Sequence, residues 1–493
     1  MTWNDHKHVE EQIDRCLRDG STTLSLSLTG QKTLPESIGD LTHLTELRVH
    51  FSPSLIALPE SLGNLVNLTK LDVSQNQRLT TLPESLGDLV NLTELDLRAN
   101  RLTSLPESVG NLTRLTALNL FHNRLTSLPE SLGDLVNLTA LDLFHNQLAA
   151  LPESLVNLTE LTMLMAGKNR LTSLPESLGD LRGVTWIYLA DNQLTRLPDS
   201  LGDLPDLAWL NASHNRLTSL PESLGGLTAL EALFLENNQL TALPESLGGL
   251  VNLTRLYVSQ NRLTSLPESL GGLVNLVDLE VRGNRLTSLP ESLGDLTALP
   301  ALDVSDNELM SLPESLGDLV NLTKLDLSRN RLTLLPESLA RLPKLNRLQV
   351  SSNRLGALPG WLGDMAKLAR LDVNGNRLTA LPDWLGHLPK LARLDLSDNE
   401  LTSLPESLGD LVKLTRLDLS RNRLTALPES LGDLTKLAWL DLSDNELAAL
   451  PESVRDLVNL TRLDLSGNRF ADLPEPLKDL PRLARLDTYR QRV

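Results

Sequence analysis

Residues that cross-link, export or anchor a protein are scarce in this chain of 493 residues. It contains one cysteine, Cys16, and therefore cannot form a disulfide within itself. Its apolar residues are spaced apart, and no apolar run reaches the 18 or more residues that are needed to span a bilayer. The N-terminal stretch MTWNDHKHVEEQ lacks the apolar segment of a signal peptide. These absences predict a cytoplasmic protein without a membrane segment.

Basic and aromatic side chains are also in short supply. Forty-five Lys and Arg stand against 63 Asp and Glu, which leaves a net charge of -18. A polyphosphate would meet a repulsive field, so nucleic acid is not an expected partner. The 6 Trp, 3 Tyr and 5 Phe are few enough that any cluster of them is informative.

Sequence signatures of enzymes are missing as well. The chain has no G-x-x-x-x-G-K-[ST] loop, no G-x-S-x-G elbow and no H-E-x-x-H motif. Most of the chain is a repeated unit, and about thirty residues lie outside it, which is too few for a catalytic domain. We therefore expect a protein that is not an enzyme and needs no cofactor.

The repeated unit is 23 residues long. The copy at 414–436 reads LTRLDLSRNRLTALPESLGDLTK, with the frame L-x-x-L-x-L-x-x-N-x-L-x-x-L-P. The frame recurs without insertion from Leu92 to Leu460, and copies at Leu44 and Leu68 hold one extra residue each. We assign about 21 copies to residues 24–487, an N-terminal helical cap to 1–23 and a polar tail to 488–493. Such a fixed period predicts a solenoid.

Each position of the unit has a physical interpretation. Leu417 and Leu419 alternate with polar residues, which predicts a short strand buried on one face. Asn422 follows at the turn, where its amide can bond backbone groups of its own and the adjacent copy. Pro428 suits the first turn of a short helix or 3-10 segment, and Gly432 is expected to loosen the rest of that segment.

Stacked copies are expected to form one continuous core. Strands pack about 4.8 Å apart, whereas helices need nearly 10 Å, so the stack should curve with its sheet inside. The predicted fold is an α/β solenoid, a curved horseshoe with a parallel β-sheet on the concave face and short helical or 3-10 segments on the convex face.

The frame resembles that of leucine-rich repeat proteins. The 23-residue length and the return limb LPESLGDL are similar to the intracellular Ras-group type, which includes Ras-suppressor-like and plant Ras-group-related proteins. The resemblance covers about residues 24–487. It implies protein binding, with a small GTPase or a kinase-pathway component as partner.

The N-terminal cap is predicted from an apolar stripe at helical spacing. The stripe comprises Val9, Ile13, Cys16 and Leu17. Asn4 or Asp5 is expected to cap the start of the helix, and Gly20 to end it. Cys16 is then a small buried residue rather than a reactive thiol.

Histidines and carboxylates provide two weak metal candidates. His122 and His145 lie one period apart and should be lateral neighbours, but no third ligand is evident. The acidic sets of the type Asp395, Asp398 and Glu400 do not occur in adjacent copies, whereas calcium requires six to eight oxygens. The favoured interpretation is duplicated surface residues for the histidines and a solvated acidic face for the carboxylates, and no metal site is predicted.

Polar columns line the expected hollow in the C-terminal half. One column carries Arg347, Arg370, Arg393, Arg416, Arg462 and Arg485, and the next carries Asp372, Asp395, Asp418, Asp441, Asp464 and Asp487. Since like charges stacked about 4.8 Å apart repel, we expect the columns to interleave as an ion-pair ladder. The alternative, a hydrated surface copied by duplication, is the favoured interpretation, because exposed ion pairs contribute little each.

Apolar side chains replace the polar ones in the middle of the array. The set is Phe121, Phe144, Met163, Met165, Trp186, Tyr188, Trp209, Phe234 and Tyr257. Strand alternation keeps these side chains out of the core, and even half exposure would give a patch of several hundred Å². They either pack on each other and stiffen the sheet or bind a partner.

Binding is the favoured interpretation of this patch. The predicted function is a monomeric protein-binding scaffold or adaptor that recognises a protein partner through the concave face. The alternative is a secreted effector or surface adhesion protein without enzymatic activity.

Overall fold

The computed structural model describes residues 2–489 and 491, and for residues 2–7 it describes the backbone alone. The chain forms two compact units that divide between Leu253 and Thr254. The first unit begins with helix α1, Thr2–Asp19. After it, strands alternate regularly with 3-10 helices in both units, so the predicted solenoid of stacked copies is confirmed.

The first unit contains one parallel sheet in which each strand pairs with the next strand in the chain. Its strands are β1 Thr23–Leu26, β2 Glu46–Val49, β3 Lys70–Asp72, β4 Glu94–Asp96, β5 Ala117–Asn119, β6 Ala140–Asp142, β7 Met163–Met165, β8 Trp186–Tyr188, β9 Trp209–Asn211 and β10 Ala232–Phe234. Its 3-10 helices are Glu36–Asp40, Glu60–Asn64, Glu84–Asp88, Glu107–Asn111, Glu130–Asp134, Glu153–Asn157, Leu178–Asp180, Asp199–Asp203, Glu222–Gly226 and Glu245–Gly249.

The second unit repeats this arrangement. Its strands are β11 Arg255–Tyr257, β12 Asp278–Glu280, β13 Ala301–Asp303, β14 Lys324–Asp326, β15 Arg347–Gln349, β16 Arg370–Asp372, β17 Arg393–Asp395, β18 Arg416–Asp418, β19 Trp439–Asp441, β20 Arg462–Asp464 and β21 Arg485–Asp487. Its 3-10 helices are Glu268–Gly272, Glu291–Asp295, Glu314–Asp318, Glu337–Arg341, Gly360–Asp364, Asp383–His387, Glu406–Asp410, Glu429–Asp433, Glu452–Asp456 and Glu475–Asp479.

Leucines of the frame form the core of both units. In the copy at 414–436, Leu414, Leu417 and Leu419 are fully buried. Leu417 lies in register with Leu394 and Leu440 of the neighbouring strands, so each copy covers the leucines of the next. Because burial of a leucine contributes about 1.5–3 kcal/mol, the stack rather than the single copy is the stable structure.

Buried asparagines satisfy the backbone at the turns. The Nδ2 of Asn422 donates to the carbonyl oxygens of Leu419 in its own copy and Leu396 in the preceding copy, both at 3.0 Å. Its Oδ1 accepts from the backbone N–H of Leu401 at 3.1 Å. These bonds confirm the predicted asparagine ladder. At the C-terminal end Gln491 occupies the position of the ladder asparagine, and its Nε2 donates to Leu465 O at 3.1 Å.

The return limb differs from prediction in two details. Pro428 is extended, with φ -70° and ψ 150°, and precedes the 3-10 helix rather than lying in its first turn. Gly432 does more than loosen the limb. A Cβ built on it would lie 2.5 Å from the carbonyl oxygen of Ser453, so the absence of a side chain lets the next copy approach.

Helix α1 covers the core through part of the predicted stripe. Val9, Ile13 and Cys16 are buried, and Gly20 ends the helix with a φ of 63°. Two expectations are wrong. The helix begins at Thr2, upstream of the caps expected at Asn4 or Asp5. Leu17 is 47% exposed, because the packed face of the helix follows the i, i+4, i+7 positions and Leu17 lies beyond its edge.

Candidate functional site

Eight of the nine side chains predicted as partner contacts lie on the open face of the sheet in the first unit, and Tyr257 lies on the open face in the second unit, each opposite the buried leucines of its own unit. In β8 the rings of Trp186 and Tyr188 are half-buried, while Ile187 between them is fully buried. Phe121, Phe144, Met165, Trp209, Phe234 and Tyr257 are also half-buried, and Met163 is 41% exposed. The predicted orientation is therefore confirmed, because strand alternation permits no other while the leucines stay inside.

Three of these rings form what we call the tryptophan stack: Trp186, Trp209 and Phe234. Register places Trp186 opposite Trp209 on adjacent strands. Their ring centroids are 4.4 Å apart and the ring planes differ by 5°. Phe234 lies on the next strand, with its centroid 5.1 Å from that of Trp209. Stacked rings of this kind contribute about 0.5–1.5 kcal/mol per pair beyond their buried area.

Three other rings form a second group, the phenylalanine stack: Phe121, Phe144 and Tyr188. Phe121 and Phe144 are 5.8 Å apart with a plane angle of 13°, and Tyr188 meets Phe144 at 5.8 Å and 56°. The ammonium of Lys168 lies 5.6 Å from the centroid of Phe144. Because Tyr188 contacts Phe144 and is on the same strand as Trp186, the two stacks are adjacent.

Gly167 makes room for the Tyr188 ring, a role that the sequence interpretation missed. A Cβ on Gly167 would lie 2.5 Å from Cε1 of Tyr188. Burial raises the pKa of the Tyr188 hydroxyl, and the charges of Asp191 and Glu236 add to the effect. The sequence did contain an indication of this role: Gly167 lies in the copy before Tyr188, at a position where several other copies carry serine.

Two polar atoms near the stacks are buried without a partner among the described residues. They are Nε1 of Trp186 and Oε2 of Glu236. Burial raises the pKa of the Glu236 carboxyl, partly offset by hydrogen bonds and by His214. Leaving such buried groups without a hydrogen bond costs free energy.

Met163 and Met165 belong to a different surface feature from the rings. They lie at one end of a groove of about 570 Å³ that runs over strands β2–β7. The groove floor includes Ala117 and Ala140. Sequence reasoning grouped the methionines with the aromatic patch and did not predict the groove, because it considered large side chains and not the small ones between them.

Tyr257 lies in the second unit, and its hydroxyl is engaged there. It donates a hydrogen bond to Oδ2 of Asp278 on the next strand. Burial and this bond raise the pKa of Tyr257 to about 12. The hydroxyl is therefore protonated over the whole physiological pH range.

Both sequence interpretations of the patch have a structural basis. The rings pack on each other across neighbouring strands, which the stiffening interpretation requires. They also remain half-buried rather than buried, which the binding interpretation requires. Stacking and binding are compatible, since preordered rings lose little conformational entropy when a partner docks.

The histidines are neighbours as predicted. The ring centroids of His122 and His145 are 4.4 Å apart, and both side chains are exposed. Burial and the charge of His145 lower the pKa of His122. Within the described part of the chain, no three His, Cys, Asp or Glu side chains come together as a metal would require.

The predicted ion-pair ladder of the second unit is wrong. Only two arginines of the column bind aspartates, Arg370 with Asp372 at 2.7 Å and Arg485 with Asp487 at 2.8 Å, each within one strand and among described residues. The other aspartates accept hydrogen bonds at 2.6–3.1 Å from the serine two residues later, namely Asp395, Asp418, Asp441 and Asp464.

This local bonding holds the four carboxylates at their own turns. Of the arginines without an ion pair, Arg416 instead lies over Trp439, 3.9 Å from its ring centroid. That geometry is a cation–π contact. The column is therefore a mixture of local contacts rather than a continuous network.

The fold and the open face define a class of repeat proteins that bind partners along a sheet. The chain belongs to the leucine-rich repeat family, whose model, described as Leucine rich repeat, matches it over most of its length. The matched residues are 42–102, 90–148, 159–217, 185–240, 213–263, 251–309, 274–332, 302–355, 320–378, 366–424 and 413–470. The match supports a protein-binding scaffold and does not identify the Ras-group subtype.

Solved structures of similar proteins come from plants and bacteria. A plant peptide hormone receptor, RGFR1 in complex with RGF2, is 29% identical, with 97% of this chain and 83% of that chain covered and a TM-score of 0.75. The ectodomain of the Arabidopsis receptor kinase HAESA, with an extended IDA peptide hormone, is 30% identical over 94% and 85%, TM-score 0.57. A Leptospira interrogans protein, LIC12759, is 28% identical over 96% and 97%, TM-score 0.50. No curated protein matches the chain significantly.

Among the described residues, none of the helices combines the length and the apolar character needed to cross a bilayer.

Proposed function

We propose that this chain is a non-enzymatic scaffold that binds a protein partner on the open face of its first unit. The observation that carries the proposal is that the rings of Trp186 and Trp209 stack in parallel and yet remain only half-buried, so that part of each ring is open to solvent. Trp and Tyr are enriched at the centres of interfaces because they bury large areas at low entropic cost. The contact set is that predicted from the sequence, with Tyr257 as a separate contact in the second unit.

Similar proteins support the binding of a protein or peptide. RGFR1 and HAESA were solved with peptide hormones, RGF2 and IDA. For this chain we place the partner on the two stacks and the adjacent groove. Within the proposal the protein is monomeric and cytoplasmic, and the resemblance to Ras-group repeats makes a small GTPase or a kinase-pathway component the first partner to test.

Capture of purified candidate partners by immobilised protein tests this function. The double substitution Trp186→Ala with Trp209→Ala should abolish capture and lower the melting temperature only slightly, because a loss of about 1 kcal/mol is small against the unfolding entropy of so long a chain. Trp439→Ala is a matched control, because Trp439 occupies the corresponding position of β19 in the second unit. Capture that survives the double substitution contradicts the proposal. A large loss of thermal stability without any captured partner assigns the rings a structural role.

A second function is favoured by the similarity to the HAESA ectodomain. In this second function the chain is a secreted effector or surface adhesion protein without enzymatic activity. Cell fractionation with an antibody to the native protein separates the two: protein confined to the interior of cells excludes export, and protein in the medium or on the surface excludes the cytoplasmic scaffold.

A further inference from the structure

Two small residues create a depression in the open face beside the phenylalanine stack. Ala117 in β5 and Ala140 in β6 are neighbours in register. Glu94 precedes them in β4 and Met163 follows in β7. Three strand spacings separate these longer side chains, which gives roughly 14 Å. The width suits one extended side chain of a partner with its flanking backbone.

The lining of this groove is mainly apolar, but its charge is unbalanced. Five acidic side chains line it, Glu46, Asp72, Glu94, Asp96 and Asp142, against two basic ones, Arg48 and Lys70. Both basic side chains are already paired, Arg48 with Glu46 and Lys70 with Glu94 at 2.7 Å. Asp96 lies 3.2 Å from Arg98. A cationic ligand is therefore complementary to the acidic side chains that remain unpaired.

Asp142 is the carboxylate best placed for such a ligand. Its Oδ1 accepts a hydrogen bond from the backbone N–H of Phe144 at 2.9 Å. In the described part of the chain, no basic side chain lies within 4 Å of Asp142, and its Oδ2 accepts no hydrogen bond. The carboxylate lies between the alanine floor and the rings of the phenylalanine stack.

The environment of Asp142 penalises its charge. Burial raises the pKa of its carboxyl, the Phe144 N–H lowers it and the charge of Asp96 raises it further. An incoming cation would restore the favourable charged form, so binding and ionisation support each other.

We propose that this groove binds a lysine or arginine side chain of the protein partner, with the aliphatic stem on Ala117, Ala140 and Met163 and the cationic group beside Asp142. The inference rests on the proposed function and names the chemistry that the partner must present. A second copy of this chain is a poor occupant, because its net charge of -18 opposes docking on an acidic groove.

The methionines provide a direct readout of the groove. Of the five methionines in the chain, Met163 and Met165 line it, whereas Met310 and Met365 do not. The full chain, labelled with ¹³C at the methionine methyl groups, is titrated with N-acetyl-lysine methylamide and followed by NMR. N-acetyl-norleucine methylamide has the same stem without the ammonium and serves as the neutral probe.

With the lysine probe, we expect saturable shifts of the Met163 and Met165 methyl signals and constant signals from Met310 and Met365. The norleucine probe should bind with at least tenfold weaker affinity. Asp142→Asn should lower the affinity for the lysine probe about tenfold, toward that of the neutral probe. The substitution is isosteric and has a precedent in the chain, because Asn119 occupies the same position in β5 and accepts from Phe121 N–H at 3.0 Å.

Asp326→Asn is the matched control. Asp326 holds the same position in β14, where its Oδ1 accepts from Ser328 N–H at 2.9 Å, and it does not line the groove. This variant should bind the lysine probe like the wild type. Equal affinities for the two probes, unchanged affinity in Asp142→Asn, or no shift at about 20 mM probe would each overturn the inference.

The outcome is separable from that of the proposed function. If capture depends on the tryptophan pair but the lysine probe does not bind, the proposed scaffold function stands and the groove as a site for a basic side chain is contradicted. If the lysine probe binds and Asp142→Asn weakens that binding, but no partner is captured through the tryptophan pair, the groove is supported. The tryptophan stack as the partner's anchor is then contradicted.

Discussion

The indole rings of Trp186 and Trp209 stack in parallel, 4.4 Å apart, on adjacent strands of the open face. The contact joins neighbouring copies, so it stabilises the interface between copies and not a single copy. Each ring also presents one part of its surface to solvent, where a partner can reach it.

The stacked pair should show energetic coupling. The amide of Trp209 donates to Thr185 O at 3.1 Å, so its hydrogen exchange reports opening between β8 and β9. Each substitution, Trp186→Ala or Trp209→Ala, should lower the free energy of opening by about 1 kcal/mol, and a double-mutant cycle should give a coupling of about 0.5–1.5 kcal/mol. Trp439→Ala should leave this amide unchanged. Additive effects would show that the stack contributes nothing beyond burial.

Loss of one ladder asparagine should be costly. Asn422→Ala removes three hydrogen bonds to buried backbone groups and should reduce the free energy of unfolding by about 2–4 kcal/mol. Asn459 is the matched control, because it is half-buried and makes two solvent-exposed hydrogen bonds, donating to Thr435 O at 2.7 Å and accepting from Arg482 at 2.6 Å. Asn459→Ala should cost no more than about 1 kcal/mol. Urea denaturation followed by circular dichroism measures both, and similar losses would contradict the ladder's role.

The glycines of the repeat should divide by position. Gly432→Ala places a methyl group 2.5 Å from Ser453 O and should destabilise by about 1–3 kcal/mol through overpacking. Gly356→Ala meets nothing within 4 Å and should be neutral or stabilise by up to about 1 kcal/mol. Thermal unfolding of the two variants decides the matter, and an equal effect of both would refute close approach as the reason for Gly432.

Asp418 should make stability depend on pH. Burial is the main cause that raises its pKa to about 6, against an ordinary value of 3.8. Between these values the folded chain retains a proton that the unfolded chain has lost. The stabilisation is therefore complete below about pH 4 and is lost as the pH rises through about 6.

Asp418→Asn should remove this pH dependence and stabilise the protein at pH 7 by about 1–2 kcal/mol, after allowance for partial exposure. Urea denaturation across pH 4–8 measures the change. Ser420→Ala is the opposing control: it deletes a hydrogen bond that lowers the pKa of Asp418, so the transition should move to higher pH. A wild-type stability that is flat from pH 4 to 6 would contradict the assignment.

Local patterns predicted most of the architecture. The 23-residue period, the alternation around Leu417 and Leu419 and the asparagine at the turn were sufficient for the strands, the core and the ladder, because each copy contacts only its neighbours. Deviations occur at the chain ends. Leu17 is exposed, and Gln491 continues the ladder from within the stretch predicted as a polar tail.

The sequence by itself determined which residues reach the open face, since the strand period leaves them no choice. Trp186 and Tyr188 had to face solvent once Ile187 was buried. Only the tertiary structure decided what those side chains do there. The parallel stack of Trp186 on Trp209, the space that Gly167 gives to Tyr188, the groove over Ala117 and Ala140 and the failure of the ion-pair ladder depend on how rotamers in adjacent copies fit together, and a one-dimensional period carries no information on that fit.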